Sequence, residues 1–506
     1  MRSKLLRPLR GLTSYCVDTL CRRTSVPTAT AALLAAFVLA PAAADAQLSA
    51  GDIVVADPNA FGGNGGLIDV NPDTGAQTAL SNDTISTQKL FTDPTGVAFD
   101  PDGSIIVADP NAFGGTGGLI RVDPASGQQT PLSTNATSFQ ALFADPVGIA
   151  VAHSGVLLVA DSNASGSGAV IAVDPSTGQQ TLVSNNTLSP PGLFVNPFGI
   201  TVEGSGTILI ADPDSPAAVS GTKGAIIAVD PLTGAQKLVT NNDKSQTDLF
   251  SNPLGVAVET PGTLLVANTA ADPNADGVTL VNRSSGQQYA LSTEGLFVAP
   301  TGIAMDLDGR ALVADSAAFG GGGGVIRVEP TTGAKTTVTG NPSSPDASLV
   351  DPSGIMVVPP TCLGRYATIV GTQAADSLTG TPGPDVISAR GGDDIVDGEG
   401  GADLICGDDG RDRLLGHDGR DRFLGGAGGD VILGGNGADR AKGQTGNDKI
   451  DGGRGNDSVY GQQGKDNLVG GKGKDLLKGG PGRDKLTGGP GHDRLHGGPG
   501  KDKQKQ

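Results

Sequence analysis

A chain of 506 residues with 80 glycines, 33 prolines, 4 tyrosines and no tryptophan is not built on long helices, and turns must punctuate it often. Its formal net charge of -18 sets it against general nucleic-acid binding, because a phosphate backbone would be repelled. The acidity is uneven: residues 47–370 hold 29 acidic and 10 basic side chains and 371–438 hold 13 and 5, whereas 439–506 hold 9 and 14.

The first 46 residues read as an export signal. Arg2, Lys4, Arg7, Arg10, Arg22 and Arg23 form a basic region, Ala31 to Ala40 an apolar one, and Ala44-Asp45-Ala46 a small-residue cleavage site. The mature chain is expected to start near Gln47 and to be secreted. Arg22-Arg23 leaves the twin-arginine route open beside ordinary export. The apolar run is short for a membrane span, and no later segment qualifies.

Residues 47–358 repeat a longer phrase: P-x-G-[IV], a turn, an apolar strand, then Ala-Asp or Ala-Asn. Pro94, Pro146, Pro197, Pro253, Pro300 and Pro352 open one series, and Asp57, Asp109, Asp161, Asp212, Asn268 and Asp315 close the other. This spacing is the size of a propeller blade. In one unit the predicted strands are 148–151, 156–160, 169–173 and 180–184, with Asp174-Pro175-Ser176-Thr177-Gly178 turning between the last two. The first unit lacks a P-x-G strand and the last P-x-G strand lacks a unit, so strand 355–358 should complete the first of six blades.

The phrase resembles that of NHL-type and SMP-30/gluconolactonase-like propellers. That resemblance leaves an extracellular lactonase-like hydrolase or lyase as the alternative to a binding scaffold. The recurrent Asp reads first as a turn cap, and the Leu-Phe pairs at 90–91, 142–143, 193–194, 249–250 and 296–297 as packing between blades. His153 lies in a hairpin, where an exposed turn residue is expected. No G-x-S-x-G or H-E-x-x-H string is present.

After a linker at 359–370, residues 371–506 carry an Asp at every ninth position from Asp376 to Asp502, fifteen in all. The unit reads G-x-x-G-x-D-x-U-x with U apolar, as in Gly425-Gly426-Ala427-Gly428-Gly429-Asp430-Val431-Ile432. A period of nine suits a solenoid that lays down a turn and a short strand per unit. Glycine turns leave carbonyl oxygens open and the Asp supplies a hard anionic oxygen, which together suit calcium. One unit offers too few ligands, so two turns eighteen residues apart must share an ion. The apolar row of Ile387, Val396, Ile405, Leu414, Phe423, Ile432, Ile450, Val459, Leu468, Leu477, Leu486 and Leu495 should fill a thin core. Ala441 and Gln504 weaken it.

These units resemble the hemolysin-type (RTX) calcium repeats that form a parallel β-roll. Together with the blade-sized repeat this reads as an all-β chain, a six-bladed β-propeller followed by a β-roll, and the resemblance implies several calcium ions in the roll. It implies ligands at Asp385, Asp394, Asp403, Asp412, Asp421, Asp430, Asp439, Asp448, Asp457, Asp466, Asp475, Asp484 and Asp493. Late units place Lys465, Lys474, Arg483, His492 and Lys501 directly before the Asp, which should favour calcium in the early turns.

Removal of the leader takes Cys16 and Cys21 and leaves Cys362 and Cys406. In an oxidising compartment two remaining thiols read as one disulfide, and metal ligation is the weaker reading because no Cys or His cluster accompanies them. The segment around Cys362 also resembles the lead-in to such repeats in secreted proteins. The favoured function is a secreted calcium-binding protein whose propeller presents a surface to an extracellular partner.

Overall fold

The computed structural model describes residues 48–506, apart from 217–222, 246, 248, 261, 270–276, 294 and 341–348; the expected export signal lies outside the described residues. Between Ile53 and Val357 the chain forms six antiparallel sheets of four strands each. The third is Pro146–Val151, Leu157–Asp161, Ala169–Val173 and Gln180–Asn185, close to the strands expected from the repeat. Gly178 closes its last hairpin at φ 70°. There the Asp174 carboxylate accepts from the amides of Ser176 and Thr177 at 2.8 and 3.0 Å.

Ring closure follows the expected exchange. Gly354–Val357 pairs antiparallel with Ile53–Asp57, Ile355 opposite Val55, so the last strand completes the first blade and leaves no open edge there. Phe91, Phe143, Phe194, Phe250 and Phe297 are each at most 4% exposed. Phe143 shows why: it packs with Ala98, Ile106 and Leu119 of one blade and Ile149, Val159 and Ile171 of the next.

The first strand of each blade lines the central channel, and the glycine of its P-x-G phrase meets the neighbouring blade. A Cβ added at Gly96, Gly148, Gly199, Gly255, Gly302 or Gly354 would stand 2.1–2.7 Å from the carbonyl oxygen of Val147, Phe198, Leu254, Thr301, Ser353 or Thr95 respectively. These six contacts close a circle, blade to blade. The phrase therefore keeps glycine for close approach of two backbones. Gly148→Ala is expected to cost about 1–3 kcal/mol, through the overpacking it forces, read as a lower urea midpoint of the propeller. Gly204→Ala, whose Cβ would meet nothing within 4 Å, should leave that midpoint unchanged.

Beyond the propeller the strands turn parallel. One sheet runs from Ile369–Val370 to Arg494–His496 and the other from Ser377–Thr379 to Lys503–Lys505, every strand pairing with the one eighteen residues on. Ile387 lies opposite Ile405 and Val396 opposite Leu414, so the apolar position of each unit stacks inward. The whole predicted row forms a single core, with Leu495 partly buried at its end. Ala441 is 4% exposed within that core, whereas Gln504 is exposed and makes the last rung a polar end.

The linker is a hairpin, Thr361–Cys362 against Arg365–Tyr366, and Cys362 is disulfide-bonded to Cys406. Propeller and roll meet through it. The Tyr366 ring lies 4.3 Å from that of Phe99, Arg365 pairs with Asp102 at 2.6 Å, and Arg390 donates to the Leu307 carbonyl. Pro359, Tyr366, Ala367 and Thr368 thereby border a channel cavity of about 420 Å³ at one end of the inner strands.

Candidate metal centre

Numbering each nonapeptide so that its Asp is the sixth residue, the backbone dictates the rest. The fourth residue faces the turn before it: a Cβ at Gly410 or Gly419 would fall 1.6 or 1.4 Å from the carbonyl oxygen of Gly392 or Gly401. Only glycine fits there. The second residue is also left-handed but roomier, and it is Arg390, Glu399, Asp408 and His417 in four early units, at φ 62–75°.

Each sixth-position carboxylate splits its two oxygens between two tasks. Oδ1 accepts the amide of the Asp eighteen residues earlier: Asp394 donates to Asp412 and Asp403 to Asp421, both at 2.9 Å, and Asp466 to Asp484 at 3.0 Å. Oδ2 is buried without a partner in Asp394, Asp403, Asp412, Asp421, Asp430, Asp439, Asp448, Asp457, Asp466, Asp475, Asp484 and Asp493. Buried anionic oxygens without a donor are costly, and a whole row of them calls for a cation. The surroundings suit one. A Cβ at Gly407 would fill a cradle 2.3 Å from Asp412 Oδ2 and 2.5 Å from the Gly425 carbonyl oxygen, and the same cradle recurs at Gly425, Gly434 and Gly479.

Asp385 differs from these twelve. Its Oδ2 accepts the Thr381 amide at 2.6 Å and the Thr381 hydroxyl at 3.1 Å, and Thr372 caps Asp376 in the same way. The two threonines stand where the first turns begin and serve as caps.

Burial, and then repulsion between carboxylates of adjacent turns, drives the acids upward. Asp403, Asp412, Asp448 and Asp457 are pushed up to about 7, and Asp421, Asp439 and Asp466, chiefly by burial, to about 6. Among the described residues no three His, Cys, Asp or Glu side chains converge on one point. A cation in this row would draw on carboxylates of successive turns and on loop carbonyl oxygens, a hard, crowded, flexible donor set that fits calcium and not magnesium. Lys465, Lys474, Arg483, His492 and Lys501 are exposed beside their aspartates, so solvent screens their effect.

The propeller's recurrent acid does other work. Asp109 accepts the amides of Thr92, Asp93 and Asn111 at 2.7–3.0 Å, and Asp161, Asp212, Asp315 and Asp57 repeat the pattern with their own entry loops. Asn268 keeps the acceptor and adds a donor to the Leu249 carbonyl at 2.9 Å. These are turn caps. A second repeated network escaped the sequence reading: Gln129 accepts the Leu90 amide at 2.6 Å and donates to Ser81, and Gln180 and Gln236 do the same one and two blades on. The Gln following each Thr-Gly or Ser-Gly turn was its only signal.

His153 corrects an expectation. It is 9% exposed with Nδ1 unpartnered, and burial lowers its pKa; its hairpin lies beside the turn of the neighbouring blade, where a Cβ added at Gly155 would stand 3.7 Å from Pro101. The channel lining consists of glycines, β-branched and other apolar residues with Thr95, Thr201, Thr301, Thr368, Ser353 and Tyr366; among the described residues that line it there is no carboxylate, imidazole or carboxamide side chain.

The family model of the RTX calcium-binding nonapeptide repeat, in four copies, matches residues 370–405, 407–441, 433–468, 442–477 and 469–503. No curated protein matches the chain. Among solved structures, the extracellular domain of a putative hybrid two-component system from B. thetaiotaomicron matches 48% of this chain at 12% identity and TM-score 0.35, and the chain spans 29% of that protein. A putative 6-phosphogluconolactonase from Bacteroides uniformis matches 61% of the chain and 99% of its own length at 14% identity and TM-score 0.39. A gluconolactonase from Xanthomonas campestris matches 61% and 91% at 15% identity and TM-score 0.37. The six blades stand on the chain's own sheets, and its C-terminal solenoid, residues 370–503, is a run of RTX calcium-binding nonapeptide repeats.

Proposed function

We propose that the chain is a secreted calcium-binding protein in which several ions order the roll, and in which the propeller presents a partner surface at its open end. The row of twelve buried, unpartnered Oδ2 atoms from Asp394 to Asp493 carries the reading. Those twelve aspartates, with carbonyl oxygens of the glycine turns, hold the ions. Bound calcium supplies the charge that their burial withholds, and the residues around it position the carboxylates through the Oδ1 hydrogen bonds.

The export-type leader, the disulfide and a calcium-dependent module together support an extracellular site of action. For the propeller, the linker borders one end of the channel. Strand register brings Asp161, Pro146, Ala169 and Asn185 together at the other. Loops at that end expose Phe139 at 96%, Leu188 at 52%, Val195 at 44% and Val298 at 47%. Apolar side chains exposed singly on several loops of one end suit contact with another macromolecule, and the apolar, repeated channel lining suits a scaffold.

Titrating the full chain with calcium in a calorimeter is the test. Heat release with more than one ion per chain at millimolar calcium, and little heat with magnesium, is expected. The triple substitution D394N/D403N/D412N should lose more of that heat than D475N/D484N/D493N, because carboxylates at 393, 408 and 409 surround the early turns. A calorimetrically silent wild type would remove the reading, and equal losses would remove only the grading.

A further inference from the structure

We propose that the outer face of the roll sheet starting at Arg422 binds a linear acidic polysaccharide, one carrying about one carboxylate or sulfate per sugar ring. This surface is separate from the calcium row and from the propeller loops.

Two parts of one sheet face are chemically opposite. Over the first rungs the outward residues Val370, Val386, Leu404 and Cys406 lie beneath the linker hairpin, packed with Cys362, Leu363 and Ala367. Past Leu424 the cover ends. The outward residues on the next rungs are then Arg422, Arg440 and Lys442, Ser458 and Tyr460, Leu476 and Lys478, Arg494 and His496, aligned by parallel pairing. No acidic side chain faces outward on this sheet between Arg422 and His496. Leu363 of the hairpin walls one end, where it encloses a recess of about 90 Å³ with Arg422, Arg440 and Lys442.

The cations are held without being neutralised. Tyr460 lies between Arg440 and Lys478, 5.6 and 5.5 Å from its ring centroid, so an aromatic face occupies the place a carboxylate would take. No ion pair is formed by Arg422, Arg440, Lys442, Lys478 or Arg494 among the described residues. The face is thus a locally positive field on a chain whose net charge is -18. The opposite sheet mixes its signs, with Asp451 beside Lys449.

Spacing selects the partner. Adjacent strands lie about 4.8 Å apart, so the face offers about one cation per 4.8 Å over five rungs, a step of about one sugar ring. Duplex nucleic acid carries a charge roughly every 1.7 Å, and that density would be repelled by the acidic remainder of the chain. A membrane would need protruding apolar anchors, whereas Leu424 and Leu476 are only partly exposed.

The experiment uses the full chain in saturating calcium, with chondroitin sulfate as probe because it does not gel with calcium, and dextran as the neutral control. Binding that weakens steeply with salt is expected, with none to dextran. R440Q/K442Q/K478Q should lose at least about tenfold in affinity while keeping the wild-type calcium-dependent circular dichroism. K449Q/K485Q/K503Q, an equal charge change on the other sheet, should lose less than about threefold, and R440K/K442R/K478R should retain binding. Absence of binding to chondroitin sulfate, equal loss in both glutamine variants, or tighter binding to duplex DNA or phosphatidylglycerol vesicles would overturn the proposal. A roll that binds calcium but no polysaccharide would leave the calcium reading intact.

Discussion

Stripping calcium from the full-length chain is expected to melt the roll and spare the propeller. The roll's core is one apolar side chain per unit, stacked in a row from Ile369 to Leu486 with Leu495 at the end. So thin a core is a weak source of stability against the entropy of ordering over a hundred residues. Each ion bound at a hundredfold excess over its dissociation constant contributes about 2.7 kcal/mol, so a handful supply on the order of 10 kcal/mol. That equals the net stability of a whole domain. The propeller has its own interlocked cores and closes on its own strands, Ile53–Asp57 with Gly354–Val357. Calorimetric scans should therefore show two transitions, the roll's falling by more than about 20 °C in calcium-free buffer while the propeller's stays put. Loss of strand signal and rapid proteolysis confined to the region after Cys406 should accompany it. A roll transition indifferent to calcium would show that packing alone sustains the fold.

What could be read from the sequence was whatever recurs at a fixed interval. The ninth-residue aspartate, the apolar row two residues after it and the P-x-G phrase each announce a unit, and stacking identical units fixes their neighbours. Strand Gly354–Val357 was placed in the first blade by the same logic, as the missing member of a series. Contacts with no period were not legible. The tilted ring contact of Tyr366 with Phe99 joins residues 267 positions apart, and nothing local to either marks it. The burial of His153 goes with a hairpin that lies beside Pro101 of the neighbouring blade. The division of labour within each carboxylate, Oδ1 to a backbone amide and Oδ2 to the cradle, needed three-dimensional register. So did the separation of Asp385, capped by Thr381, from the twelve that follow. The basic second half was visible as a count, but that one sheet face carries its cations without an outward carboxylate depends on which strands alternate between sheets.

Acid should act on the roll with opposite signs in the absence and presence of calcium. In the ion-free fold Asp403, Asp412, Asp448 and Asp457 titrate near 7, against an ordinary value of 3.8, because burial and then the carboxylates of adjacent turns disfavour their charge. The folded roll thus holds protons more tightly than the unfolded chain. Its stability is full only below the unfolded value and is lost as pH rises through the interval from about 4 to 7. In buffer freed of calcium by a chelating resin, lowering the pH from 8 to 5 should therefore raise the midpoint of the roll. Calcium reverses the sign, since ion and proton compete for the same Oδ2. At fixed millimolar calcium the same acidification titrates the ligands and should lower the midpoint, so the two curves converge toward pH 5. Asp394→Asn with Asp412→Asn, which remove charge and proton together, should flatten both. Calcium-free stability that climbs from pH 5 to pH 8 would mean that the aspartates are held by donors within the protein, and the row of unpartnered oxygens would lose its meaning as a cation site.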